Sequence, residues 1–125
     1  MSDVHTLIYV EDNEDNFLLT KRVLEAGGAY QVLWAQDGEE GLSLVREVMP
    51  SLVLLDLDIP KISGFDVARA LRGDPQTAAI PLVAVSANVM NREKQRAIDC
   101  GCEAFVEKPI DIVSLRRLVD DLARG

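Results

Sequence analysis

Leu52–Asp56 is a run of four apolar residues that ends on a carboxylate. A strand with one solvated face alternates apolar and polar residues. A run with no polar residue before its end belongs instead to a strand covered on both faces. Coverage of that kind comes from helices in the crossovers between parallel strands. The rest of the chain contains the parts. Thr6–Val10, Tyr30–Ala35, Pro81–Val85 and Ala104–Glu107 read as four further strands. Five amphipathic segments alternate with the strands. Glu14–Ala26 repeats Phe17, Leu19, Val23, Leu24 and Ala26 at helical period and stops at Gly27-Gly28. Asp37 caps the second helix, with Glu40 at the capping-box position. That helix turns Leu42, Val45 and Met49 inward and stops at Pro50. Ser63 caps the third, which faces Phe65, Ala68 and Leu71 inward and closes at Gly73. Asn91–Cys100 is the fourth and most polar helix. Asp111 caps the fifth, whose inner face carries Ile112, Leu115, Leu118 or Val119, and Leu122. The expected architecture is α/β: a doubly wound, five-stranded parallel sheet with five helices.

Length and composition agree with one domain spanning residues 1–125. No internal repeat or linker-like tract interrupts it. No apolar stretch approaches the roughly 18 residues of a membrane helix. Met1–Val10 has no basic region of a secretory signal, so the expected location is cytoplasmic. Cys100 and Cys102 form C-x-C, neither a zinc quartet nor a C-x-x-C redox pair, and read as reduced packing residues. The net charge is −8, and residues 1–90 carry all of it, with 6 basic against 14 acidic groups. A chain so charged does not track nucleic-acid phosphates. It suits a cation or a basic partner.

In open parallel sheets, ligands bind beyond the carboxyl ends of the strands, where the winding reverses. Chemistry-bearing residues fall there repeatedly. Glu11 and Asp12 follow the first strand, and Asp56 and Asp58 end the third. A single acid after a strand is ordinarily a turn former or a helix cap. Acids at several strand ends are a different matter once those strands are neighbours. Two carboxylates ~4 Å apart repel by about 4 kcal/mol at an effective dielectric near 20. Such a group needs a cation, a proton or solvent separation, and hard oxygen donors with an open position favour Mg²⁺. Lys108 follows the fifth strand and precedes Pro109, and Lys-Pro permits a cis bond that would aim the lysine inward. Ser86 ends the fourth strand, as a hydroxyl for a bound anion or as a cap for the following loop. Acids, hydroxyl and lysine together are the parts of phosphoryl transfer to a carboxylate.

Four stretches carry a resemblance: LIYVEDNEDN at 7–16, LVLLDLDIPKISG at 52–64, PLVAVSA at 81–87 and GCEAFVEKPI at 101–110. In this order they resemble the receiver domain of the two-component response regulators, the CheY-like superfamily, over essentially the whole chain. The resemblance implies strand order 2-1-3-4-5, a flavodoxin-like sheet. It implies that Asp56 accepts a phosphoryl group from a histidine kinase or a histidine phosphotransfer protein. Glu11, Asp12 and Asp56, with the main-chain carbonyl of Asp58, match the family's Mg²⁺ site. Ser86 matches the switch hydroxyl, and Lys108 matches the lysine that pairs with the phosphoryl oxygens. Phe105 matches the switch aromatic, without the tyrosine hydroxyl of some relatives. Ile59 replaces a common methionine, and Asp58 and Asn88 fill variable positions expected to tune dephosphorylation. VEDNEDN, ISG and GCEAFVEKPI are especially similar to stand-alone, DivK-like regulators and to receivers attached to hybrid kinases.

No output domain follows within the chain, so the expected output is a change in protein–protein affinity. The fourth helix, fifth strand and fifth helix are the expected face, decorated by Arg92, Lys94, Arg96, Arg116 and Arg117. The expected state is a monomer or a phosphorylation-dependent dimer, without nucleic acid or membrane. Rival readings are a constitutive binding module and a receiver fragment of a hybrid histidine kinase, although the initial Met1 favours a complete protein. A more distant rival is a haloacid-dehalogenase-type phosphatase, whose D-x-D-x-[TV] motif DLDIP (56–60) resembles. Pro60 stands where that motif wants a hydroxyl or β-branched residue.

Overall fold

A computed structural model describes residues 4–124. Met1, on which the expectation of a complete protein rests, lies outside the described residues. The strands are β1 (His5–Val10), β2 (Tyr30–Ala35), β3 (Leu52–Asp56), β4 (Leu82–Ser86) and β5 (Ala104–Glu107). They alternate with the helices α1 (Glu14–Glu25), α2 (Gly38–Val48), α3 (Gly64–Gly73), α4 (Asn91–Asp99) and α5 (Ile112–Arg124). Every pairing is parallel, in the order β2-β1-β3-β4-β5. This is the doubly wound, flavodoxin-like sheet that the sequence led us to expect.

The alternation of side chains along each strand divides the core into two layers. Ile8, Val10, Val53, Leu55, Leu82 and Ala84 pack with Val45 of α2, Phe65, Val67, Ala68 and Leu71 of α3, and Ala97 of α4. Leu7, Tyr9, Val32, Leu52, Leu54, Val83 and Val85 pack with Phe17 and Leu24 of α1 and Leu115 and Val119 of α5. Both faces of β3 are therefore covered, which is why its sequence lacks alternation.

Caps set the helix starts. Asp37 accepts the Glu40 N–H at 2.8 Å, Ser63 accepts the Asp66 N–H at 3.2 Å, and Asp111 accepts the Val113 N–H at 3.1 Å. The sequence expectations differ from the structure in a few places. β4 runs one residue later, and α1 and α4 each end one residue earlier. Leu19 is exposed, because Phe17, Thr20 and Leu24 form the buried stripe of α1. Leu19 lies about 200° around the helix from Phe17. Met49 adopts φ 53° as the left-handed C-cap of α2, which turns it outward. Ile112 opens α5 before the helix meets the sheet and is also exposed. Cys100 and Cys102 are free and buried, and burial pushes the Cys102 thiol up to about 11. Among the described residues no helix is long and apolar enough to cross a membrane.

Candidate functional site

Strand register brings the acids to one edge. Val10 pairs with Leu55, so the next residues, Glu11 and Asp56, emerge level with each other. Asp56 pairs with Val85, and Ser86 pairs with Glu107, which places Ser86 one step and Lys108 two steps further out than Asp56. Glu11 and Asp56 are buried and Asp12 is exposed. One carboxylate oxygen from each of the three lies within 4.8 Å of the others. Gly64 allows the start of α3 to pass close by, since a Cβ there would sit 2.7 Å from the Asp56 carbonyl oxygen.

Lys108 closes the cluster. Its Nζ donates to Asp56 Oδ2 at 2.6 Å and to Glu11 Oε2 at 3.0 Å. Its backbone N–H donates to the Ser86 carbonyl at 2.9 Å, and the Lys108–Pro109 peptide is cis. Burial works against the Lys108 charge, but the bonds to Asp56 and Glu11 outweigh it and raise its pKa above the ordinary lysine value. Burial also pushes the Glu11 carboxyl above the usual carboxylate range. Asp56 adds to that rise and Lys108 opposes it. Three carboxylates against one ammonium leave the cluster negative. Its donors are hard oxygens, one of them solvent-facing, a set that fits a magnesium ion.

The other sequence-predicted residues take distinct places. The Asp58 side chain is exposed, and its N–H donates to Asp56 Oδ1 at 2.9 Å. Ser86 is buried, and its Oγ accepts the Asn88 N–H at 3.0 Å, a loop-capping arrangement. Phe105 is half-buried against the α2–α3–α4 layer, with Lys94 Nζ 5.9 Å from its ring centre. Two of the arginines expected on the α4–β5–α5 face are directed elsewhere. Arg116 donates to the Val23 carbonyl of α1 at 2.9 Å, and Arg96 stacks 3.9 Å from the Phe65 ring of α3. Each finds a carbonyl or a ring beside its own helix, so helical position alone did not fix its direction.

Sequence reasoning missed the residues that fix Glu11. Tyr9 donates its hydroxyl to Glu11 Oε2 at 3.1 Å. The Asn13 N–H and the Asn16 side-chain amide approach Oε1 at 3.2 and 3.5 Å. Trp34 Nε1 donates to the Glu11 carbonyl at 2.6 Å while its ring stacks on Phe17. Burial first, then the Glu11 charge, pushes the Tyr9 phenol well above its ordinary value, so it remains a donor. One signal was available: Tyr9 and Glu11 are two residues apart, and so share one side of the extended chain.

The family model described as "response regulator receiver domain" matches residues 7–120. The polar-differentiation response regulator DivK of Brucella anthropi is 38% identical over 107 residues, 86% of each chain. A putative response regulator from Chloroflexus aurantiacus superposes with a TM-score of 0.92 at 25% identity, covering 98% of this chain and 100% of that one. The receiver domain of a Pseudomonas aeruginosa sensor histidine kinase has a TM-score of 0.89 at 21% identity, covering 98% and 100%. It was solved with a magnesium ion coordinated in its active-site cleft.

Proposed function

Since this chain belongs to the response regulator receiver family and acts in two-component signal transduction, we propose that Asp56 is its phosphoryl acceptor. The observation that carries this reading is Lys108, held at 2.6 Å from the buried Asp56 carboxylate with Glu11 and Asp12 alongside. Receivers bind Mg²⁺ in such an acidic pocket, and Glu11, Asp12, Asp56 and the main-chain carbonyl of Asp58 would hold it here. Bound there, the ion neutralises negative charge on the transferring group.

The donor is a phosphohistidine on a histidine kinase or a phosphotransfer protein. An Asp56 oxygen forms the new P–O bond as the P–N bond breaks, and the leaving imidazole keeps the electron pair and is protonated. Lys108 follows the phosphoryl oxygens, and Ser86 Oγ leaves Asn88 to donate to them. The domain spans residues 1–125 and is not an enzyme acting on other molecules, although it assists its own phosphorylation and dephosphorylation. It works in the cytoplasm on a downstream protein, through the α4–β5–α5 face with Phe105 as the switch aromatic. It engages neither nucleic acid nor membrane, as a monomer or a phosphorylation-dependent dimer.

Incubation with Mg²⁺ and acetyl phosphate is expected to add one phosphate, read by intact mass. Asp56→Ala is expected to add none. Native protein that stays unmodified, or a variant labelled to the same extent, refutes the assignment.

A further inference from the structure

We propose that Tyr9 is a positioning residue that keeps Glu11 satisfied while Lys108 turns toward the phosphoryl group. The proposal rests on Asp56 as the acceptor. Lys108 Nζ is shared between two carboxylates, 2.6 Å from Asp56 Oδ2 and 3.0 Å from Glu11 Oε2. A phosphoryl group on Asp56 adds charge and acceptor oxygens on that side, which draws the ammonium off Glu11. Glu11 is 1% exposed, so bulk solvent does not reach it to replace the lost donor on Oε2. A buried carboxylate oxygen left without a donor is costly.

Tyr9 meets that need. It is wholly buried on β1, and its hydroxyl already donates to the same Oε2 at 3.1 Å. The phenol's bond therefore matters most in the state that Lys108 has left. In the resting state Oε2 keeps two donors, and the loss of one is tolerated. The other oxygen, Oε1, accepts from Asn13 and Asn16, and these donors do not change hands.

The test compares native protein with Tyr9→Phe, which keeps the ring. Each is titrated calorimetrically with Mg²⁺ alone, and then with beryllium fluoride, a phosphoryl analogue, in saturating Mg²⁺. The expected result is that Tyr9→Phe binds Mg²⁺ within twofold of native and beryllium fluoride about five- to tenfold more weakly. A role confined to packing would weaken both titrations alike, and that outcome overturns the proposal. Unchanged beryllium fluoride binding in Tyr9→Phe also overturns it, and leaves Asp56 as the acceptor. Native protein that binds Mg²⁺ but no beryllium fluoride removes the acceptor reading itself, and this inference with it.

Discussion

α4 and α5 pack on opposite sides of the sheet near its β5 edge, yet they are held very differently. α5 buries Leu115 and Val119 against the strands and begins on the Asp111 cap. Its flanks are tied as well: Arg116 reaches the Val23 carbonyl, and Tyr30 donates to Asp120. α4 buries only Ala97 along its length and starts at Met90 without a side-chain cap. Its far end is fixed, because Arg72 donates to the Gly101 carbonyl at 2.9 Å and to the Ala78 and Ile80 carbonyls at 2.7 Å each. Its near end hangs on Asn88. That side chain accepts the Met90 N–H at 3.1 Å and donates to Glu93 at 3.0 Å. Asn88 is in turn bonded through its own N–H to Ser86 Oγ. A segment with few buried contacts opens at low free-energy cost. The soft end of α4 thus lies next to the residue proposed to move, and the firmly tied helix lies across the sheet.

Three substitutions can break or sharpen this contrast. Leu115→Ala is expected to cost about 2–5 kcal/mol in urea denaturation, as for other fully buried leucines. A cost below about 1 kcal/mol would mean that α5 is no better anchored than α4. Arg72→Ala strands three main-chain carbonyls and should cost about 1–3 kcal/mol. Amide exchange should then quicken at the α4 C-terminus; if protection there is unaltered, Arg72 is not the fixed end. Met90→Ser supplies the missing cap and should stabilise by about 0.5–1 kcal/mol. It should also slow exchange across residues 91–94. A neutral or destabilising result would show that the α4 N-terminus has no deficit to fill.

The sequence was most legible where a single residue type answers a local need. Asp37, Ser63 and Asp111 are caps because a short oxygen beside free N–H groups has one good geometry. Leu52–Asp56 declared its layer because a doubly covered strand has no polar position. Leu19 and Met49 were misread because helical period gives a direction without saying how wide the covered stripe is. At the site, Glu11, Asp12, Asp56 and Lys108 stand at strand ends, and register alone brings them together. Tyr9 and Trp34 carried no such mark. An aromatic residue within a strand reads as packing, and only its polar atom, which needs tertiary structure to find a partner, shows otherwise.

Trp34 is the chain's one tryptophan, and its indole N–H rests on the Glu11 carbonyl. An excited indole responds to charge at close range. A cation settling among the acids, or an anion formed beside them, is therefore expected to change its emission. That would give the molecule an optical gauge of its own occupancy, readable in native protein with no dye attached.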